Sequence, residues 1–150
     1  MLEKAFKATY NYFRLNFYRN VFQSLAKNAS PLTATEIFCV EATQLLNRPT
    51  INELGEFLKI SQPNTAYKVN NLVRKGYLTK TRSEKDRREY ILDVTDKFDE
   101  YQNMKNDYIH TVLERVKNSF SKADVETFTK ILQSMSQDLM PEIASIMKKR

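Results

Sequence analysis

The residues best suited to chemistry in this sequence are cations and amides concentrated between positions 59 and 88. Within these 30 residues, nine are basic and two are acidic, a net charge of +7. Residues 1–58 carry +1 and residues 89–150 carry −2, so the chain's net charge of +6 arises in one fifth of its length. A basic patch on an otherwise balanced chain is typical of nucleic-acid binding, although such clusters also occur on ordinary solvated surfaces.

The first set of candidate side chains lies on a predicted helix over residues 61–75. With 100° per residue, one face of this helix is apolar and the opposite face is polar. The polar face comprises Asn64, Lys68, Asn71 and Lys75. Amides and lysines pair with base edges or phosphates, and no carboxylate interrupts the face. Thr65, at its edge, is placed to touch a thymine methyl or a phosphate, whereas Gln62 points partly inward and is a weaker candidate.

The second set is a run of cations within nine residues, on a predicted hairpin. It comprises Lys80, Arg82, Lys85, Arg87 and Arg88. A two-stranded hairpin carries such residues to a phosphate backbone or into a narrow minor groove, where arginine is favoured. Asp86, which lies directly among these cations, looks out of place if charge alone matters. It either forms a bidentate pair that orients Arg88 or serves as a turn residue, and the two roles are compatible.

Other kinds of site find little support in the sequence. We find no glycine-rich phosphate loop, Ser/His/Asp set or Cys/His cluster, so we expect neither an enzyme nor a metal or other cofactor. Cys39 lies among apolar residues and is expected in the core rather than as a redox sensor. Charges every few residues near the start exclude a signal peptide, and no stretch is apolar enough to span a membrane. A cytoplasmic protein without membrane contact is therefore expected.

The elements that position these side chains are mostly helices, since only two glycines interrupt the chain. Helices are predicted over 2–26, 33–46, 50–58 and 61–75, strands over 77–82 and 88–94, and helices from about 95 and from 121 to 146. Ser30 and Pro31 break the first helix, and Gly76 ends the fourth. The third and fourth helices form a helix-turn-helix, in which Gly55 allows a close crossing. The hairpin that follows is a wing.

This order of elements and several short motifs resemble the MarR family of bacterial regulators. The resemblance rests on Leu32-Thr33, the helix that begins at Ser61, Leu72-x-x-Lys75-Gly76-Tyr77, Asp86-Arg87-Arg88 and Leu92-x-x-Thr95. It covers nearly the whole chain and is strongest over 32–95. It implies a winged helix-turn-helix homodimer, usually a repressor, in which residues 61–71 form the recognition helix and Asp86 and Arg88 act in the wing. Phe98 departs from the family, which often has glycine there, and is expected to add core packing.

The resemblance and the apolar patterns together predict the organisation of the chain. Residues 1–30 and 96–150 form a helical dimerisation region, and residues 31–95 form the winged helix-turn-helix, in a fold that is mostly α with a small β-hairpin wing. The dimer is expected to bind a near-palindromic double-stranded DNA site. Tyr10, Phe13 and Phe17 are expected to line a pocket for a small aromatic or amphipathic effector. A winged-helix protein–protein or architectural module with an acidic partner is the alternative function.

Overall fold

The computed structural model describes residues 1–27 and 32–148. Within these ranges the predominantly helical prediction is confirmed, and the only strands are those of one antiparallel hairpin. The elements are α1 (Leu2–Leu25), α2 (Ala34–Leu45), α3 (Ile51–Leu58), α4 (Gln62–Arg74), β1 (Leu78–Arg82), β2 (Tyr90–Val94), α5 (Asp99–Ser119), α6 (Lys122–Gln137) and α7 (Pro141–Lys148). A 3₁₀ turn (Asp96–Phe98) precedes α5. The predicted break at Ser30 and Pro31 lies outside the described residues.

The helix starts follow the capping signals in the sequence. Thr33 and Thr50 each accept a hydrogen bond from the backbone N–H three residues later, while Glu36 and Glu53 accept from the threonine N–H groups. These reciprocal bonds satisfy amides that lack partners inside the helix. Both predicted capping boxes, which begin α2 and α3, are therefore confirmed.

The helix-turn-helix is formed by α3 and α4, which a tight turn connects. Lys59 adopts a left-handed conformation (φ 54°) at the end of α3, and the Ser61 hydroxyl accepts from the Asn64 N–H at the start of α4. Gly76 ends α4 with φ 82°, a conformation that glycine adopts without steric cost. The Tyr77 N–H then donates to the Leu72 carbonyl at 3.0 Å, which leads the chain into β1.

The two helices approach closely at Gly55. A methyl group at this position would lie 2.7 Å from Thr65 Oγ1 and 2.9 Å from Gln62 Nε2, both closer than van der Waals contact. The Thr65 side chain is buried, and its hydroxyl donates to the Ser61 carbonyl at 2.9 Å. The prediction that Gly55 permits a close crossing is confirmed.

Residues 1–105 form one compact unit, which we call the winged unit, and its core joins α1, α2, α4 and the start of α5. Its central aromatic cluster comprises Tyr77, Phe98 and Tyr101, with Phe98 and Tyr101 stacked at 5.3 Å between ring centroids. Burial raises the pKa of Tyr101 to about 12, so its phenol stays neutral. Phe98 is 1% exposed, which confirms its predicted role in packing, and Cys39 is buried as expected.

The hairpin is the predicted wing. Its register pairs Leu78 with Val94 and Arg82 with Tyr90. The wing is held against the helices because the Leu92 N–H donates to the Pro49 carbonyl at 2.8 Å. At its base, the Thr95 hydroxyl donates to the Gly76 carbonyl and the Lys97 ammonium to the Lys75 carbonyl, at 2.6 and 2.7 Å. The wing is therefore fixed to both ends of the helix-turn-helix region.

The chain divides into two compact units, Met1–Lys105 and Asn106–Arg150. In the second unit the sequence prediction needs a correction, because the last helix is two helices. It stops at Gln137, and α7 begins at Pro141. Proline lacks a backbone N–H and disfavours helical geometry in the residue before it, but it suits the first turn of a new helix. Among the described helices, none is long and apolar enough to cross a membrane.

Replacing Gly55 with alanine is expected to destabilise the winged unit. The added methyl group meets the buried Thr65 side chain, and overpacking of this kind costs about 1–3 kcal/mol of unfolding free energy. Urea unfolding of Gly55→Ala, Thr65→Ala and the double variant checks the contact. We expect Gly55→Ala to cost less in the Thr65→Ala background, since that substitution removes Oγ1. Equal costs in both backgrounds would show that the contact does not limit stability.

Candidate nucleic-acid interface

The outer face of α4, opposite its buried residues, is polar and uncovered. Thr65, Val69 and Leu72 are buried beneath it. The exposed residues are Gln62, Pro63, Asn64, Tyr67, Asn70 and Arg74, and Tyr67 is the most prominent ring, with 66% of its surface exposed. We call Asn64, Tyr67, Asn70, Arg74 and the half-buried Asn71 the α4 outer face. Its cation, Arg74, and its three amides have no acidic neighbour on the helix, because residues 61–75 contain no carboxylate.

The predicted rotation of α4 was partly wrong. Lys68 and Lys75, expected near the centre of the exposed face, are only half exposed, and the face is centred on Tyr67 and Asn70. With 3.6 residues per turn, the midpoint of Tyr67 and Asn70 lies roughly 100° around the helix from the centre of the predicted face. The physical reason is that Thr65 packs over Gly55, which turns the 65–72 side of the helix inward. Sequence reasoning therefore missed Tyr67, Asn70 and Arg74.

Thr65 itself needs a second correction. It is 1% exposed, and its hydroxyl is bonded to the Ser61 carbonyl. The prediction that it touches a thymine methyl or a phosphate is wrong for this conformation. Ser61 and Gln62 are exposed at the start of α4. The Ser61 hydroxyl caps the helix, and the Gln62 amide, which was predicted to point partly inward, donates to the Asn52 carbonyl at 3.4 Å.

Lys75 is held by an ion pair inside the winged unit. Its ammonium lies 2.8 Å from Glu36 Oε2, and only 10% of the Glu36 side chain is exposed. Burial alone would raise the pKa of Glu36, but the bonds from Lys75 and the Thr33 N–H outweigh it and hold this pKa below its ordinary value. Lys75 thus connects α4 to α2, and its predicted contact with DNA competes with this structural role.

In the wing, the five predicted cations are all exposed. Lys80 and Arg82 lie on the same side of β1, and their charged groups are 5.3 and 5.9 Å from the centre of the Tyr90 ring. Lys85, Arg87 and Arg88 lie in the loop between the strands. Cation–π contacts with one ring limit the positions of the two strand cations. The wing therefore offers a positioned pair of cations on β1 and three more in its loop.

Asp86 and Arg88 form the predicted bidentate pair. Arg88 Nη2 donates to Asp86 Oδ2 at 2.9 Å and Arg88 Nε to Oδ1 at 3.1 Å, while the Arg88 backbone N–H donates to Oδ1 at 3.0 Å. The Arg88 side chain accordingly lowers the pKa of Asp86. Asp86 also belongs to the turn, since its carbonyl accepts from the Glu89 N–H and its N–H donates to the Ser83 hydroxyl. Both predicted roles of Asp86 are confirmed, and 90% of the Arg88 side chain remains exposed.

One hydrogen bond joins the wing to the α4 outer face. The Lys80 ammonium donates to Asn70 Oδ1 at 2.7 Å. Because Lys80 also contacts Tyr90, the amide on the helix and the ring on the strand share one cation. The two predicted constellations are thus neighbours on a continuous surface of the winged unit.

The residues predicted to line an effector pocket lie along α1. Tyr10 is exposed and stacks on Phe6, whereas Phe13 and Phe17 are half-buried and Phe17 packs against the core. Two open apolar clefts occur in the second unit, where Val116, Val125 and Phe128 line both. Neither cleft includes Tyr10, Phe13 or Phe17, and the effector pocket stays a prediction.

Comparison with known proteins agrees with a helix-turn-helix that is followed by a wing. Residues 30–89 match the model of the MarR family. This segment is similar to the domains of that family. The match covers the helix-turn-helix and most of the wing, and it confirms the resemblance inferred from the motifs. The family's proteins are transcription regulators rather than enzymes. The sequence matches none of the curated proteins compared with it.

Solved structures extend the likeness in fold to nearly the whole chain. FabT of Streptococcus pneumoniae in complex with DNA has 20% identity and a TM-score of 0.60, covering 92% of this chain and 94% of its own. The regulator Tm0710 of Thermotoga maritima has 19% identity and a TM-score of 0.66, with 96% of both chains covered. A mutant of S. aureus MepR bound to an oligodeoxyribonucleotide has 13% identity and a TM-score of 0.55, covering 93% and 99%. The fold is that of MarR-family DNA-binding regulators.

Replacing Glu36 with glutamine is expected to lower stability at neutral pH. The variant keeps an oxygen that caps α2 but loses the charge that pairs with Lys75, which costs about 1–3 kcal/mol of unfolding free energy. Because the pKa of Glu36 is lowered by folding, its contribution is complete above the unfolded value of about 4.3 and is lost as the pH falls through the lower folded value. Denaturant unfolding from pH 7 to pH 3 should therefore show the two proteins converging in acid. A constant difference would exclude the ion pair as the cause.

Proposed function

We propose that this chain is a homodimeric repressor that binds a near-palindromic double-stranded DNA site. In this proposal α4 enters the major groove, and the wing contacts the minor groove or the backbone. The observation that carries it is the continuous surface formed by the α4 outer face and the wing, connected by Lys80 and Asn70. Cations there supply affinity through phosphates, and amides supply sequence choice through base edges.

The charge arrangement of this surface supports DNA as the partner. Arg74, Lys80, Arg82, Arg87 and Arg88 are exposed. Of the three acids in the loop between the strands, Glu84, Asp86 and Glu89, Asp86 is paired with Arg88. A phosphate approaching the wing loop therefore meets a guanidinium whose orientation is set in advance. Preorganisation of this kind reduces the entropy lost on binding.

Apolar side chains outside the winged core support the homodimer. On α1 the exposed rings include Phe6, Tyr12 and Phe22, with 74% of Phe22 exposed. The second unit has no buried residue in α6, and Phe128 and Ile131 are exposed on it. Apolar surface of this extent is typical of an interface between subunits. Two copies related by a two-fold axis would present two α4 helices to major grooves about 10 bp apart or a multiple of that spacing.

Release of the DNA is proposed to follow binding of a small aromatic or amphipathic effector. The supporting feature is the aromatic stripe of α1, which includes Tyr10, Phe13 and Phe17 and runs from exposed positions into the core. An effector shifts the protein only if it binds the DNA-incompetent conformation more tightly. In the proposal, such binding changes the spacing of the two α4 helices, and the dimer no longer matches its site.

Selection from a random pool of DNA duplexes tests the proposed function. We expect the full chain to enrich one inverted repeat and to form a complex with the mass of two chains and one duplex, measured by sedimentation. Uniform, salt-sensitive binding with no enriched site would instead favour the architectural module. Absence of duplex binding, with capture of an acidic protein, would favour the protein–protein module.

Replacing Arg88 with alanine is expected to weaken DNA binding and to lower the slope of log affinity against log salt by about one unit per half-site. The reason is the loss of one phosphate or minor-groove contact from each wing. Fluorescence anisotropy at several salt concentrations measures both quantities. Arg115→Ala, the same change of charge on α5 outside the wing, is the control and should leave the slope nearly unchanged.

Replacing Asp86 with asparagine distinguishes the effect of Arg88 orientation on DNA binding from the effect of the wing's net charge. The variant becomes more positive, so charge alone would strengthen DNA binding. Loss of the bidentate pair frees the Arg88 guanidinium, and we expect binding to weaken despite the added charge. Tighter binding by Asp86→Asn, or an unchanged salt slope for Arg88→Ala, would remove the wing pair from the mechanism.

A further inference from the structure

Two asparagines on the α4 outer face have their carbonyl oxygens bonded to cations. Asn70 Oδ1 accepts from the Lys80 ammonium at 2.7 Å, and Asn71 Oδ1 accepts from Arg74 Nη2 at 2.6 Å. Lysine and arginine are donors only, so in each amide the oxygen must be the atom that faces the cation. The NH₂ group of each amide then points away from that cation.

This orientation decides what the amides offer to a nucleic acid. A free asparagine reads adenine by accepting from N6 and donating to N7 at the same time. In Asn70 and Asn71 the NH₂ group can still donate, but the Oδ1 atom that would accept from N6 already lies against a full positive charge. Although a carbonyl oxygen has a second lone pair, the adjacent cation opposes the approach of the positively polarised N6 amino group. Adenine is therefore disfavoured at both residues.

The neighbouring groups reinforce the same polarity. Arg74 retains further guanidinium N–H groups beside Asn71, and Lys80 has three ammonium hydrogens, of which Asn70 takes one. The central part of the α4 outer face thus presents hydrogen-bond donors with little competing acceptor capacity. Asn64 differs, because its side-chain amide has no hydrogen-bond partner among the described residues, and it keeps both halves of the pattern.

We infer that Asn70 and Asn71 select guanine in the major groove. Guanine carries two adjacent acceptors there, N7 and O6, whereas adenine, cytosine and thymine each present a donor or a methyl group as part of their edge. Lys80 is then a positioning residue for base choice, in addition to its charge. This inference rests on the proposed binding of double-stranded DNA and adds the base that the centre of α4 reads.

Duplexes with altered purines test the inference on the full chain. Starting from the sequence enriched by wild type, each guanine is replaced in turn by 7-deazaguanine, which lacks the N7 acceptor, and each adenine by purine, which lacks the N6 donor. We expect 7-deazaguanine to lower affinity about tenfold at one or more positions in each half-site. Purine at positions next to these guanines should have little effect.

Three variants connect the guanine preference to the observed hydrogen bonds. Lys80→Met frees Asn70 Oδ1, and we expect the preference for guanine over adenine at one position to fall about tenfold. Asn70→Asp keeps an acceptor for Lys80 but loses both N–H donors, so the 7-deazaguanine effect at that position should vanish. Lys85→Met, which removes a cation from the wing loop, is the matched control and should lower overall affinity while leaving base preference unchanged. Thermal melting confirms that these exposed substitutions leave the fold intact.

The outcomes separate this inference from the proposed function. A site that is sensitive to loss of N6 and insensitive to loss of N7 overturns the guanine assignment while leaving DNA binding in place. The same conclusion follows if Lys80→Met and Lys85→Met change base preference equally. A chain that enriches no duplex site overturns the proposed function, and the guanine assignment with it.

Discussion

The packing of Thr65 over Gly55 determines which side chains α4 offers to solvent. A glycine in α3 lets the two helices approach until the threonine is buried, and its hydroxyl is satisfied by the Ser61 carbonyl of its own helix. Burial of one β-branched residue in this way sets the rotation of the whole helix about its axis. Tyr67, Asn70 and Arg74 face outward for that reason, and Lys75 is close enough to α2 to pair with Glu36.

The surface that results is ordered by bonds between its own members. Lys80 connects Asn70 of α4 to Tyr90 of the wing, Arg74 orients Asn71, and Asp86 orients Arg88. Each of these contacts is exposed to solvent, so each contributes little to folding stability. Their effect is on conformation, since they restrict long side chains that would otherwise sample many rotamers. A binding surface can be preorganised in this manner without a large hydrophobic core beneath it.

Much of this architecture could be predicted from the sequence, because local signals determine it. Capping boxes at Thr33 and Thr50, the αL residue Gly76 and the alternation of Tyr90, Leu92 and Val94 each act within a few residues. The Asp86–Arg88 pair is also local, separated by two positions. The rotation of α4 was less accessible from the sequence. Val69 and Val73 suggest a buried side centred between them, and only the contact of Thr65 with Gly55, ten residues earlier, moves the centre of that side towards Thr65, Val69 and Leu72. Pro141 carried a signal for the end of α6, but the apolar spacing across it favoured one continuous helix.

The buried thiol of Cys39 gives the winged unit an internal reporter. It is the only cysteine in the sequence, its side chain is packed in the core, and burial raises its pKa, which suppresses the reactive thiolate. A thiol reagent can therefore reach it only when α2 separates from its neighbours, and its rate of alkylation follows the opening equilibrium of this unit. The alkylation rate of the Cys39 sulfur therefore reports transient unfolding of the winged unit, and no label has to be introduced.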